Sequence, residues 1–166
     1  FNMKKIIQLI ALICTITIIH SCGGTKNIGY NYELLCNGVG VNGIYLIKCY
    51  SYGSTLENAR KKVKRDAVHG VLFKGVSANS KKGCSKQEPI CSVSYEDKQE
   101  WFNNFFENGD YLQYVTLSND GNVAASDRIK IKRGYKVGFT VAVKSDKLRQ
   151  RMEKEGLANK LNQFDN

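Results

Sequence analysis

Residues 54–69 encode a helix with a start, a buried stripe and a stop, and that helix constrains the fold more than any other segment. Ser54-Thr55-Leu56-Glu57 is a capping box. The Ser54 hydroxyl accepts an amide of the first turn and Glu57 returns the bond. Leu56, Ala59, Val63 and Ala67 then recur at three- and four-residue steps, which is the spacing of one apolar helical stripe. His69-Gly70 is the expected stop, where an imidazolium would meet the negative pole of the helix dipole. Arg60, Lys61, Lys62, Lys64 and Arg65 occupy the other faces. Such a helix must bury its stripe against a partner layer. Two strand-like segments flank it: Ile44 to Tyr50, and Val71-Leu72-Phe73 running to Val76. The connection is long enough to let them lie parallel.

The rest of the chain alternates in kind. Gly38-Val39-Gly40-Val41-Asn42-Gly43 spells G-x-G-x-x-G, but the dinucleotide fingerprint opens a helix, and here the glycines lead into a strand. They are expected to make a turn. Residues 77–94 are polar and lysine-rich, and read as an excursion loop holding the chain's single proline, Pro89. A second helix starts at Glu96 or Asp97. It carries Trp101, Phe102, Phe105 and Phe106 on one broad aromatic side and stops at Asn108-Gly109-Asp110. Tyr111 to Leu117 reads as a strand. Ile129 to Val143 reads as one long bent strand, or as two separated by a bulge at Gly134. Asp146 is the expected cap of a last helix with Leu148 and Met152, closed by Gly156 with Leu157 packing back.

The expected class is α+β: a single twisted mixed sheet with helices mainly on one face, in the order β-α-β-loop-α-β-β-α. The expected organisation is a signal segment at 1–21, a tether at 22–35, one domain at 36–157 with the 77–94 excursion, and a frayed end at 158–166.

The address is read from the other end. Lys4 and Lys5 precede an apolar run from Ile6 to Ile19. That is the shape of an export signal. It is shorter than the roughly 17–25 apolar residues of a spanning helix. Phe1 and Asn2 precede the expected initiator, Met3. The end of the run, Ile19-His20-Ser21-Cys22, resembles the bacterial lipobox, with Ile19 and Ser21 at its aliphatic and small positions and His20 outside the pattern. The resemblance implies a diacylglyceryl thioether on Cys22, cleavage before it and acylation of the new amine. Ordinary secretory cleavage is the rival reading. The sorting positions after Cys22 lack acidic residues, and by resemblance to lipoprotein signals they imply the periplasmic face of the outer membrane.

Removal of residues 1–21 leaves 145 residues and, with Lys4 and Lys5 gone, takes the formal charge from +10 to +8. That is enough chain for one modest core. The charge suits an anionic surface or an acidic protein partner, or simply solubility. Export removes nucleic acid from the expected partners, leaving the membrane, through the lipid anchor, and an envelope protein.

Cys36, Cys49, Cys84 and Cys91 remain beside Cys22 and the discarded Cys14. An oxidising compartment favours pairing. A Cys84–Cys91 bridge would staple the loop and leave Cys36 for Cys49, but three connectivities are open. No C-x-x-C occurs and His69 is the only histidine after the signal segment, so no metal or cofactor is expected.

No G-x-S-x-G, P-loop or carboxylate pair stands out, and the expectation is no enzyme. A hydrolase built on His69, with Cys49 as one conceivable partner, is kept only as a rival. The aromatic helix and the 77–94 loop could instead form a small-ligand or peptidoglycan site, though aromatic stripes at helical spacing more often serve a core.

Three segments together look like the small α/β domains of trans-envelope proteins. They are the glycine-led strand Gly43 to Tyr50, the alanine-spaced helix and strand Ala59 through Val76, and the strand–helix Tyr135 to Gly156. That group includes the amino-terminal domain of the TolB translocation protein, flagellar-assembly periplasmic domains and the curli-secretion lipoprotein. The resemblance covers most of residues 43–157, with the 77–94 excursion outside it. It implies an adaptor that docks onto an envelope or secretion assembly and carries over no catalytic residue; the basic helix 54–69, with Arg60, Lys61, Lys62, Lys64 and Arg65, is the first candidate contact by its charge.

Overall fold

A computed structural model describes residues 30–160, so Cys22 and the whole signal segment lie outside the described residues. The chain is α+β: among the described residues there are one curled antiparallel sheet and three helices. The elements are β1 (Tyr32–Val39), β2 (Ile44–Gly53), α1 (Leu56–Phe73), α2 (Gln99–Glu107), β3 (Val115–Leu117), β4 (Arg128–Ile131), β5 (Gly134–Lys144) and α3 (Ser145–Lys154), joined in places by short 3₁₀ turns. The sheet runs β1-β2-β5-β3, with β4 also on β5. Every strand pairing is antiparallel.

This corrects the expected mixed sheet and its element order. The first strand is β1, which begins at Tyr32, inside the expected tether. It folds back on β2 through the glycine-rich turn, where Asn42 and Gly43 both take positive φ. The G-x-G-x-x-G letters therefore make a hairpin turn. The predicted parallel strand at 71–76 does not form, because Val71, Leu72 and Phe73 extend α1. Val71 and Leu72 continue its buried face, and the helix runs four residues past His69. Gly70, the predicted stop, lies inside the helix. A Cβ there would strike Leu34 Cδ1 and the Tyr32 ring, so glycine lets β1 approach α1. The cap is Thr55 rather than Ser54, its hydroxyl accepting from the Asn58 amide at 3.1 Å.

Other boundaries shift for similar reasons. Asp110–Tyr114 is a 3₁₀ turn, leaving only Val115–Leu117 as strand. Ile131 pairs with Gly134, so Lys132-Arg133 is a two-residue hairpin turn and the segment is two strands. Asp146 does not cap α3. The carbonyl of Gly43 does, accepting from the amides of Ser145 at 2.9 Å and Asp146 at 3.4 Å. The Asp146 carboxylate fills the space a Gly43 Cβ would need. Gly156 closes α3 as read from the sequence: its amide reaches Glu153 O at 3.1 Å and Leu157 N reaches Met152 O at 2.8 Å, a Schellman motif. Ala158, expected in the frayed end, is buried.

Alternation places Ile47, Cys49 and Ser51 of β2 beside Leu34 of β1 and Val137, Phe139, Val141 and Val143 of β5, toward Ala59, Val63 and Ala67 of α1. Phe102, Phe105 and Phe106 of α2 close the same core. The aromatic stripe is core material, with only Trp101 half-buried.

Candidate functional site

Polar groups are scarce in this core, and they sit together where β1, β2 and α1 meet. Ser51 falls two residues after Cys49 on the inward face of β2, and Asp66 falls three after Val63 on the inward face of α1. Both are fully shielded, and the Ser51 hydroxyl donates to Asp66 Oδ2. Burial pushes the Asp66 carboxyl above its ordinary range, opposed by the Ser51 bond and by the positive charges of Lys62, Arg65 and Lys74. The Cys49 thiol lies in the same interior, where burial and the nearby Asp66 charge push its pKa well up. A buried, protonated thiol is a poor nucleophile.

One turn along α1, His69 is 7 % exposed. Its Nδ1 lies 2.6 Å from the Tyr32 hydroxyl. Tyr30 stacks on its ring with centroids 3.4 Å apart, and Phe73, Tyr95 and Phe106 complete an aromatic enclosure. Burial, with Lys74 and Arg65 adding repulsion, lowers the His69 pKa to about 3. The imidazole is neutral near neutral pH. This corrects the reading of His69 as a cation at a helix end: the helix continues past it and the ring faces aromatic groups.

The Tyr32 side of this corner borders the surface. An open cleft of about 390 Å³ is lined by Tyr32, Glu33, Leu34, Leu35, Lys74, Gly75 and Ser77. The Lys74 ammonium sits 4.2 Å from the Tyr32 ring centroid. The cleft thus offers one cation, a phenyl face and the backbone of β1.

The cysteines pair across the fold. Cys36 of β1 is bonded to Cys84 of the excursion loop, with Cα atoms 5.9 Å apart. Neither of the two bridges weighed from the sequence, Cys84–Cys91 and Cys36–Cys49, forms: Cys49 is a buried free thiol, and Cys91 is a half-buried one with its pKa pushed up to about 12 by burial. The loop does not hang free. Cys36 N bonds Ser77 O at 3.0 Å, and the amides of Ile90 and Cys91 bond carbonyls of Val71 and Leu72.

The five cations at 60–65 divide. Arg60 donates to Asp120 O at 2.8 Å and Lys62 to Tyr52 O at 3.3 Å. Arg65 donates to the Tyr30 hydroxyl at 3.2 Å and lies over the Tyr30 and Phe106 rings. Those three are tied to their own domain. Lys61 is exposed and Lys64 half-exposed.

Sequence reasoning passed over Tyr30, Tyr32, Ser51 and Asp66. Ser51 and Asp66 carried a readable signal, since each is polar at a position the period assigns to the core. Tyr30 and Tyr32 carried none, because only the β1 fold-back brings them to His69.

Among the described residues, no group of three His, Cys, Asp or Glu is placed to hold a metal ion. No helix among them is long and apolar enough to cross a membrane. Comparison with known proteins finds no matching family model, no matching curated protein and no matching solved structure.

Proposed function

We propose that this chain is a bacterial envelope lipoprotein. Acyl chains on Cys22 hold an α+β domain at the periplasmic face of the outer membrane, and the domain is an adaptor within an envelope or secretion assembly. The observation that carries the reading is the Cys36–Cys84 bond. It ties the edge strand β1 to a loop 48 residues away, and such bonds persist in exported proteins. The short apolar run before Cys22 supplies the export route. Two or three acyl chains give stable residence, since each buried methylene contributes about 0.8 kcal/mol. The buried setting of His69 and Cys49 supports structural roles for both, which is why the adaptor reading is preferred to a hydrolase. The likeness to trans-envelope α/β domains belongs to this reading. So does packing of the helices mainly on one face of the sheet, supported by the alternate burial along β5.

The test is metabolic labelling with a palmitate analogue and membrane fractionation of the wild-type chain and Cys22→Ala. Labelling and membrane recovery lost in the variant uphold the anchor; unchanged labelling sinks it. Gentle detergent extraction with mass spectrometry then tests the adaptor role. A stoichiometric envelope protein upholds it, and recovery of the chain alone counts against it.

The cleft beside Lys74 favours a second reading, a small anionic ligand or cell-wall fragment held there. Sedimentation with purified peptidoglycan that Lys74→Glu abolishes would favour it over the adaptor.

A further inference from the structure

The strand β4 is unlike the other strands. Its four residues are all exposed, on both faces. Ile129 is 44 % and Ile131 36 % exposed, although isoleucine is among the residues most often buried. β4 pairs with β5 on one side, and among the described residues no strand pairs with its other side. An unpaired edge offers a row of backbone donors and acceptors.

The side chains along this edge are sorted by face. Arg128 and Lys130 pair with Val137 and Tyr135 on one face, and Ile129 and Ile131 share the other with Lys136. Lys132 and Arg133 form the turn. No acidic residue occurs between Asp127 and Asp146. Two nearby carboxylates are already engaged, Asp127 with Lys48 at 2.5 Å and Glu33 with Lys136 at 2.6 Å. Among the described residues, Arg128 donates to a backbone carbonyl, Val123 O, and pairs with no carboxylate. On α1, by contrast, three of the five cations are held by the domain itself.

We propose that β4 is a docking edge for an extended acidic strand of a partner protein, one in which carboxylates alternate with apolar side chains. Backbone bonds along the edge supply affinity, and the alternation supplies specificity. The partner's carboxylates face Arg128 and Lys130, and its apolar side chains cover Ile129 and Ile131. A second copy of β4 is the wrong occupant, because it brings the same cations. The charges that prevent self-pairing are the ones that accept an acidic strand. An anionic bilayer is disfavoured because the apolar and cationic side chains point to opposite faces, so a strand lying flat buries one set and lifts the other away. The inference does not depend on the lipid anchor.

The test uses the full chain purified in detergent and a fluorescent octapeptide alternating glutamate and valine, read by anisotropy. The control is an octapeptide of the same composition with glutamates and valines in two blocks. The alternating peptide is expected to bind about ten-fold tighter than the block peptide, and R128E/K130E to remove that difference. K61E/K64E, on α1, should leave it intact. Unchanged circular dichroism confirms that R128E/K130E is folded. Equal binding of the two peptides, or indifference to R128E/K130E, overturns the proposal. Charge-dependent capture of mixed micelles containing phosphatidylglycerol, with no peptide binding, overturns it in favour of a lipid surface.

Discussion

The Tyr32 hydroxyl lies 2.6 Å from Nδ1 of His69, joining β1 to the C-terminal part of α1 across 37 residues. The hydroxyl and the neutral ring nitrogen can each donate or accept, and the His69 tautomer sets which of them supplies the shared proton. A neutral, enclosed histidine is thereby satisfied at the interface of β1 and α1.

Acid should weaken the domain through this histidine. The folded pKa is about 3 against an ordinary 6.5. Between those values the unfolded chain binds a proton that the folded chain rejects. The stability from His69 is therefore full above pH 6.5 and is lost as pH falls toward 3. Asp66 acts in the opposite sense. Its raised pKa favours the folded state in acid, and the cost of its buried charge appears as pH rises through that pKa. Urea midpoints should fall on acidification by the equivalent of about 2–4 kcal/mol in the wild type. His69→Phe should show a flatter dependence over the same range. Identical slopes would mean that the imidazole titrates normally in the folded domain.

Tyr32→Phe keeps the ring and removes the hydroxyl that bonds Nδ1. It leaves a buried ring nitrogen unpaired, which costs about 1–3 kcal/mol. Chemical denaturation at neutral pH measures the loss. A change below about 0.5 kcal/mol would show that the nitrogen is satisfied elsewhere.

Gly70→Ala sets two effects against each other. Alanine improves helix propensity by about 1 kcal/mol over glycine. The added methyl, however, runs into Leu34 and Tyr32, and overpacking of a tight core costs about 1–3 kcal/mol. The β1–α1 contact should decide the sign, giving a net loss. A more stable variant would show that β1 can retreat from α1 freely.

The disulfide should matter most under oxidising conditions. Its cysteines are separated by 48 residues, and closing a loop of that length removes unfolded-state entropy equivalent to about 4 kcal/mol. Cys36→Ser/Cys84→Ser should melt well below the wild type without reductant, and the gap should close when a reductant is added. A wild type that melts alike with and without reductant would show that the bond contributes nothing.

Much of the local structure was legible in the sequence. The α1 stripe of Ala59, Val63 and Ala67, the glycine turn before Ile44, the aromatic helix and the Gly156 stop each depend on contacts within a few residues. Short-range spacing records such contacts. The errors share a cause. Val71-Leu72-Phe73 has the composition of a strand, and tertiary packing makes it helical: Val71 and Leu72 enter the core and Phe73 meets Phe102 and Tyr95. Composition cannot separate a short buried strand from a buried helical turn.

By itself, then, the sequence determined the α+β class, the buried stripe of Ala59, Val63 and Ala67 on α1, the Gly156 stop and the cationic character of residues 128–133. Tertiary structure alone decided that the sheet is antiparallel, that Cys36 meets Cys84, that Gly43 caps α3, that Tyr30 and Tyr32 enclose His69, and that β4 stands at an open edge. The physical reason is range. Propensity and periodicity act over one or two helical turns, whereas strand order, disulfide partners and a histidine's surroundings depend on which distant segments bury one another's apolar surface.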